Sequence, residues 1–423
     1  MLTNRAGREV VQCRPRRAGD GVRPVGGPVT RAQLVPSRGE LRHRALHRAV
    51  VIRNHARRLQ WKVLAQHGAS HRAQTEFLAR EESQPFAHVH GQTGDPRLDR
   101  AVDEAAQERR VSYLARYRGE CFIEPRYGYV IDKPLHLVSE SMPYSDWSKD
   151  PARWHLIGFP SMWAILAADL GRRRVIEEDR VLSLRFYWED NYFHFLNDIL
   201  PRLRMAREHG VPVDVPVVVA ERLAKQKFFV EAFPDGTVDG RRMIVQGDAF
   251  VAAGEIIVAC PEPCSRENFS YVADMLGGPP CPHGNRRVFV DRAQTRGRYI
   301  RNMRDLLPAL RRHDVEVLDP EAMSLADQVK LFSAAELISG IHGAGIGNML
   351  FRRQVHTAVL EIFQPLEAPP WFAHMAAELG YCYDAVSGYS NERMYHRMQP
   401  FSVDPDRFEE TLVKLIARSD LGR

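Results

Sequence analysis

The sequence lacks an apolar run long enough to cross a lipid bilayer, so no transmembrane helix is predicted. It has only six cysteines, and no secretory signal peptide is visible ahead of them. Scattered cysteines without a secretory signal are typical of free thiols in a reducing compartment. We therefore expect a cytoplasmic protein, either soluble or attached peripherally at the inner face of a membrane.

Signals for a metal site are also scarce. No Asp-x-Asp follows a predicted strand in the C-terminal half, and the cysteines near Pro261 and Pro263 do not have a usual zinc-ligand spacing. The net charge of +6 is modest, and its arginine excess suits nucleotide phosphates or an anionic membrane as well as nucleic acid. We predict no metal and no nucleic-acid partner.

Composition divides the chain into four regions. Residues 1–110 are Arg-rich and lack sustained periodicity, which predicts a disordered or loosely packed segment, unless the true start lies further downstream. Residues 111–276 and 286–423 carry regular strand and helix signals and are predicted to be two α/β domains. The Gly/Pro-rich segment 277–285 between them suits neither a helix nor a central strand, so we expect a linker there.

The most informative stretch is Glu336–Phe351, which contains four closely spaced glycines. It predicts a short strand at Leu337–Ser339, a tight turn, and a helix that begins near Ala344. Glycines let the backbone approach a ligand closely, and the amides at a helix start form an anion site. The plain alternative is that small residues only let the helix pack close to the sheet.

Strand and helix signals alternate on both sides of this stretch. The predicted strands are Arg287–Val290, Val315–Leu318 and Thr357–Phe363. One helix is predicted at Asn302–Arg312, and Pro308 should kink or split it. A second helix is predicted to begin at a capping pattern that starts with Ser324. Short connections predict a parallel sheet covered on both faces. Ligands of such sheets bind at the carboxyl ends of strands, where Arg292, His342 and Glu361 are expected.

A second candidate site lies on a helix predicted at Asn191–Arg207, which ends at Gly210. Asn191, His194 and Asp198 share one face of that helix, beside its apolar stripe. Such a polar face is often only solvent-exposed. The aromatic neighbours of His194, which are Tyr192, Phe193 and Phe195, favour a functional histidine instead.

In their order, these motifs resemble glycosyltransferase family 61 over about residues 115–365. The resemblance is carried by Arg287-Val-Phe-Val-x-Arg292, Arg301-Asn302, Leu325–Phe332, His342-Gly-Ala-Gly345, Asn348–Phe351, Val359-Leu-Glu361 and Asn191–Leu203. The chain departs from the family at Ile346-Gly347, where a Leu-Thr-like pair is usual. The resemblance implies an inverting transferase, of either polysaccharide assembly in a bacterial cell or protein glycosylation in a eukaryotic one. The lack of a signal anchor and the arginine-rich composition favour the former, as surface or capsular polysaccharide biosynthesis. Together with the two α/β units, the resemblance predicts two Rossmann-like domains facing a cleft, the GT-B type, with the acceptor on the N-terminal side.

Transfer of a sugar needs a leaving group whose growing negative charge is neutralised by a metal, or by cations and helix-start amides. We expect the second, metal-independent solution, with a nucleotide-sugar, UDP-linked in our expectation, as the donor and no separate cofactor. The predicted nucleotide-binding residues are Arg292, Arg298, Arg301, Asn302, His342, Gly343, Ala344, Gly345, Asn348 and Glu361. For Glu361 the expected contact is a ribose diol, with an ion pair inside the fold as the alternative.

The acceptor, a glycan or a lipid-linked glycan, must lose a proton as it attacks. His194 is predicted to take that proton, because imidazole titrates near neutral pH. Asp198 lies one turn further on and is expected either to orient His194 or to be the base itself.

Two other functions fit the same fold. A nucleotide-sugar epimerase would bind the same donor but make no glycoside, so product analysis separates it from a transferase. A non-catalytic nucleotide-sugar-binding protein would keep its affinity without His194 and would show no turnover. Nucleic-acid binding, suggested only by the basic N-terminal region, would weaken steeply with salt.

Overall fold

The computed structural model describes residues 75–83, 96–105, 110–132, 136–137, 141, 174–278, 284–292, 297–353, 357–366, 368–392 and 399–421. All of these residues belong to one compact unit. Helices and strands follow one another around two sheets, which confirms the predicted α/β class.

The larger sheet is mixed. Its described strands are β1 (Thr75–Ser83), β2 (Arg110–Ile123), β3 (Val130–Asp132), β4 (His136–Leu137), β5 (Val175–Ser183), β6 (Val217–Ala220), β7 (Thr237–Val238), β8 (Arg241–Gln246) and β9 (Phe250–Cys260). Their order is β4-β3-β2-β9-β5-β6-β8-β7, with β1 on β2. The pairs among β9, β5, β6 and β8 are parallel, whereas β1 to β4 add antiparallel strands at one side.

The helices that accompany this sheet include an irregular one. They are α1 (Pro96–Ala105), α2 (Tyr192–His194), α3 (Leu200–Glu208), α4 (Glu221–Ala224), α5 (Lys227–Ala232) and α6 (Arg266–Met275). A π-helical turn, Phe195–Ile199, joins α2 to α3, and Leu200 N donates to Phe195 O across it. Pro201 explains this wide turn, because its ring has no N–H and would clash with the carbonyl of residue 197 in a regular α-helix.

The smaller sheet is fully parallel. Its strands are β10 (Arg286–Val290), β11 (Val315–Leu318), β12 (Ala335–Ile341), β13 (Ala358–Phe363) and β14 (Cys382–Ser387), in the order β11-β10-β12-β13-β14. All neighbouring pairs run in the same direction. From β10 the chain continues to β11 on one side of it and then returns to β12 on the other side, so the strand order reverses between β10 and β12. In open parallel sheets a ligand binds outside the carboxyl ends of strands at such a point.

Helices around the smaller sheet agree in part with the sequence. They are α7 (Met303–Arg312), α8 (Leu325–Ser333), α9 (Trp371–Leu379) and α10 (Pro405–Leu421), with 3-10 helices at Pro320–Ala322 and Ala344–Phe351. Ser324 caps α8 as predicted, since its Oγ accepts from Asp327 N at 3.1 Å. The helix expected near Ala344 is a 3-10 helix rather than an α-helix. Helix α7 runs through Pro308 without interruption, so the predicted split is wrong.

The C-terminal helix α10 belongs to the smaller sheet. It buries Phe408, Leu412 and Leu415 in a core that it shares with β13 and α7. The main contacts of α10 lie with β13, β14 and α7.

Two elements lie inside the N-terminal region that was predicted to be disordered or loosely packed. Strand β1 pairs along β2, and α1 buries Leu98 and Val102 in the main core. These two residues are four apart and therefore lie on one helix face. Residues 1–74 lie outside the described residues. The predicted linker at 277–285 falls between the last strand of the larger sheet and the first of the smaller one, and a division into two domains stays a prediction.

Gly340 offers a test of how closely β12 approaches β10. Its φ is 157°, and an added Cβ would lie 2.5 Å from Val290 O. Gly340→Ala should lower the free energy of unfolding by about 2–4 kcal/mol, because backbone atoms must move apart. Gly236→Ala is the control in urea denaturation. Its φ is 75° but nothing lies within 4 Å of the added Cβ, so it should cost only about 1–2 kcal/mol. Equal losses in the two variants would contradict this packing.

Candidate functional site

His342 follows β12 directly at the carboxyl edge of the smaller sheet. Its Nδ1 contacts Glu361 Oε1, and Tyr383 Oη donates to Glu361 Oε2 at 2.5 Å. Glu361 is fully buried, and these two partners satisfy a carboxylate that would be costly to bury alone. Its contact with His342 is the ion pair inside the fold that was the alternative to a ribose contact, and the ribose contact stays a prediction. Glu361 fixes the imidazole of His342, whose Nε2 is left as the atom remote from the carboxylate.

The glycine turn after His342 lies beneath two arginines. A Cβ placed on Gly343 would lie 3.3 Å from Arg292 Nη1 and 3.5 Å from Arg298 Nη2. Residues 342–345 are partly exposed, whereas residues 346–351 are buried. Gly345 is required for a different reason, because a Cβ there would lie 2.8 Å from Val290 Cγ1. The structure thus brings the predicted residues Arg292, Arg298, His342 and Gly343 together at one open edge.

Backbone amides complete this group. Ile346 N donates to Gly343 O at 3.1 Å and begins the 3-10 helix. The amides of Ala344 and Gly345 precede that bond, at the helix start, where N–H groups have no partner within the helix. Two guanidinium groups beside helix-start amides have the chemistry of a phosphate site.

Three predicted nucleotide-binding residues have partners within the fold, and their contact with a nucleotide stays a prediction. Arg301 pairs with Glu392. The side chain of Asn302 does not cap α7; its amide donates to Val403 O at 2.8 Å, and its carbonyl accepts from Val403 N at 3.0 Å. Asn348 is fully buried. The polar side chains of Asn302 and Asn348 hold chain segments together because buried amides need such partners.

His194 lies at the junction of α2 and the π-helical turn. Asn191 is the N-cap of α2, and its Oδ1 accepts from Phe193 N at 2.9 Å, so it does not share the helix face with His194 as predicted. Asp198 does, with its Oδ2 2.7 Å from His194 Nδ1. The His194 side chain is 20% exposed and that of Asp198 is 8% exposed. Asp198 can therefore orient the ring, while Nε2 is the atom of His194 that is remote from it.

Aromatic rings surround His194, but they are only partly the ones expected. Trp188 stacks on it with ring centroids 5.1 Å apart, and Phe186 and Phe193 lie at 5.3 and 5.5 Å. Tyr192 and Phe195, which the sequence suggested, turn towards Phe228 instead.

Phe193 joins the two histidine sites. Its Cδ2 lies 3.1 Å from the place where a Cβ of Gly347 would be. Its ring packs against Phe372 at 5.0 Å, and Phe372 packs against His342 at 5.3 Å. Tyr192 Oη also donates to Asn348 Oδ1 at 2.7 Å. Helix α2 is thereby seated on the 3-10 helix, with His194 and His342 on either side of the contact.

Several of these residues had no role in the sequence interpretation. Trp188 precedes the recognised motif by only three residues, so its aromatic character was a visible signal. Pro201 inside a helical pattern was a visible signal of an irregular turn. Tyr383 and Phe372 meet the site only through tertiary packing, and local spacing does not reveal them.

The described residues contain no group of three or more His, Cys, Asp or Glu side chains arranged to hold a metal ion. None of their helices combines the length and the apolar character needed to cross a bilayer. Cys382 is a free thiol.

Comparison with known proteins supports the predicted family. Residues 192–360, less than half of the chain, match the family model described as Glycosyltransferase 61. The match begins one residue after the N-cap of α2 and ends one residue before Glu361, so it contains both histidines. The resemblance predicted from the motifs is confirmed for this region, which is similar to glycosyltransferase family 61. No curated protein matches the chain.

Asp291 lies between β10 and Arg292, and burial, with Asp319 nearby, raises its pKa. An acid whose pKa is raised on folding holds its proton more tightly in the folded state, so stability falls as the pH rises through that pKa. Asp291→Asn should therefore be more stable than the parent at neutral pH, by about 0.5 kcal/mol, and the gain should vanish in acid. Urea denaturation as a function of pH measures it.

The control has the opposite sign. Glu409 accepts from Arg312, which lowers the pKa of this carboxyl. Glu409→Gln should therefore lose stability at neutral pH and lose nothing at acid pH. An Asp291→Asn variant that is destabilised at neutral pH would contradict the raised pKa of this partly buried carboxyl.

Proposed function

We propose that this chain, through its glycosyltransferase 61 domain at residues 192–360, moves a sugar with inversion from a nucleotide-sugar to a glycan or lipid-linked glycan. The acceptor hydroxyl attacks the anomeric carbon from the side opposite the leaving group. The bond from that carbon to the phosphate oxygen breaks, and its electron pair leaves with the nucleoside diphosphate. The proton of the acceptor goes to His194 Nε2, and the product is a glycoside of inverted configuration.

The diphosphate is the group that the Gly343 turn would hold. Arg292 and Arg298 lie over Gly343, and the amides of Ala344 and Gly345 start the 3-10 helix beside them. Preorganised donors and positive charges lower the barrier because they stabilise charge that grows on the leaving group. As an imidazolium, with its Nδ1–H donated to Glu361, His342 would add a further donor to the diphosphate through Nε2–H.

The base is assigned to His194 rather than to Asp198. Asp198 is nearly buried and its Oδ2 is engaged with His194 Nδ1, so it serves to fix the tautomer and to stabilise the imidazolium that forms. Inversion needs one base and in-line attack, with no second carboxylate as nucleophile. A single histidine oriented by a carboxylate suits that chemistry.

The observation that carries this proposal is the seating of α2 on the 3-10 helix. Phe193 packs on His194 and on Phe372, and Phe372 packs on His342. A chain of ring contacts therefore links the proposed base to the anion-binding turn. A transferase needs such a meeting of acceptor side and donor side. An epimerase or a binding protein would need only the donor side.

The wider assignment rests on the same arrangement. We propose a GT-B type architecture, with the larger sheet on the acceptor side and the parallel sheet holding the nucleotide. The charge-neutralising role of the two arginines supports a metal-independent reaction without a separate cofactor. A UDP-linked donor and a place in surface or capsular polysaccharide biosynthesis, at the cytoplasmic face of a membrane, complete the proposal.

Removing the base should separate turnover from donor binding. His194→Gln should lower kcat about 100- to 10,000-fold, because proton transfer is lost, while thermal stabilisation by UDP is unchanged. Release of UDP from a panel of UDP-sugars, with product analysis for a new glycoside, measures turnover. His209→Gln, an exposed histidine at the end of α3, is the control and should behave as the parent. Full activity in His194→Gln would overturn the assignment of the base.

The donor site has a control at the opposite end of the same strand. Arg292→Ala should weaken UDP binding about 10- to 100-fold, because a charge-assisted bond to phosphate is lost. Arg286→Ala removes a surface arginine that pairs with Glu316 at the other end of β10 and should leave binding unchanged. Calorimetry with and without EDTA measures both variants and the metal requirement. Loss of UDP binding in EDTA would contradict the metal-independent mechanism.

A further inference from the structure

A short turn between β5 and α2 carries two aromatic side chains beside His194. Trp188 stacks on the imidazole with an interplanar angle of 19°, and Tyr187 meets Trp188 at 77° with centroids 5.0 Å apart. Tyr187 and Trp188 are both partly exposed, and Asp190 and Asn191, which follow the buried Glu189, are exposed. The two ring planes thus form a corner at the edge of the proposed acceptor side.

Buried charge holds this turn in place. Arg185 and Glu189 flank it and form an ion pair at 3.0 Å with both side chains fully buried. Arg222 adds a contact to Glu189 at 2.7 Å and donates to Tyr187 O at 3.3 Å. Phe186 N donates to Glu189 Oε2 at 3.1 Å. Breaking this network would leave a buried charge uncompensated, so these contacts fix the position of the turn.

A second layer of rings supports the corner from one side. Tyr127 stacks on Tyr187 at 5.2 Å, and Tyr129 stacks on Tyr127 at 5.6 Å. Tyr127 and Tyr129 are both buried. The layer behind Tyr187 is thus already filled, and a ligand can reach Tyr187 only from the exposed side.

The chemistry of this corner suits a pyranose. A pyranose ring has an apolar C–H face that packs on an aromatic ring, and a rim of hydroxyl groups that stays polar. A sugar that brings one hydroxyl to His194 Nε2 meets the edge of the stack of Trp188 and His194, where its ring can reach the exposed parts of Trp188 and Tyr187. At the exposed end of the turn, Asp190 can accept hydrogen bonds from the remaining hydroxyls and the Asn191 amide can donate to them.

We propose that Tyr187 and Trp188 form the wall on which the acceptor pyranose stacks when its hydroxyl meets His194. This wall deepens the proposed transferase function and rests on it. Trp188 is also a positioning residue, because its stacking on His194 limits rotation of the imidazole ring. The wall selects acceptors whose ring has an apolar face.

Saturation-transfer NMR on the full chain without donor tests the wall. The probes are methyl β-D-glucopyranoside, methyl β-D-galactopyranoside and methyl α-D-mannopyranoside, with glycerol as a polyol that has no ring face. At least one pyranoside should receive transfer through its axial C–H protons, and glycerol should receive none. Tyr187→Ala should weaken pyranoside binding roughly tenfold, whereas Tyr187→Phe keeps the ring and should bind as the parent does.

Two controls separate the possible failures. Phe77→Ala removes a similarly exposed ring on β1, far from this turn in sequence, and should leave pyranoside binding unchanged. Thermal stabilisation by UDP should persist in Tyr187→Ala, which also shows that the variant is folded. The proposed wall would be overturned if none of the three pyranosides received saturation transfer, or if transfer were equal in Tyr187→Ala and in the parent. Pyranoside binding that depends on Tyr187 in a protein that ignores UDP would support the wall while the donor site fails.

Discussion

The contact between Phe193 and Gly347 is the constraint on which the site depends. A side chain at residue 347 would occupy space that Phe193 already fills. Because Gly347 leaves that space, α2 approaches the 3-10 helix closely, and the ring of Phe193 also reaches Phe372. The departure of this chain from the usual family pattern at Ile346-Gly347 therefore has a physical reason. The ring of Phe193 fills the space that a side chain at residue 347 would take. It joins the part of the site around His194 to the part around His342.

Polar side chains then fix what the apolar contact brings together. Asn348 accepts from Tyr192 Oη and donates to Gln328 Oε1 at 3.0 Å, so a buried chain of hydrogen bonds ties α2 to α8 through the 3-10 helix. Each histidine has its own carboxylate, Asp198 on one side and Glu361 on the other. Buried networks of this kind give a single geometry because every partner lost leaves an unsatisfied group. The same physics fixes two imidazoles, which we assign to the acceptor proton and to the leaving diphosphate.

The sequence predicted the parallel sheet well because its signals are local. Alternating strands and helices, the Ser324 cap and the glycine turn are all readable within a few residues, and the motif order indicated the family. The partners of Asn302, Asn348 and Glu361 within the fold could not be predicted, for one shared reason. Each polar side chain meets a residue that is distant in sequence, and only tertiary structure shows that Val403, Tyr192 or His342 engages it. The π-helical turn was missed although Pro201 signals it, because the apolar spacing of that stretch alone reads as a regular helix.

The most direct measurement is a crystal structure of the chain with UDP bound. The account predicts that the β-phosphate lies within hydrogen-bonding distance of the amides of Ala344 and Gly345, with the guanidinium of Arg292 and His342 Nε2 directed at it. It also predicts that His194 Nε2 faces the side of the diphosphate where a sugar would be attached. A diphosphate bound elsewhere, or one with Arg292 directed away from it, would contradict the account.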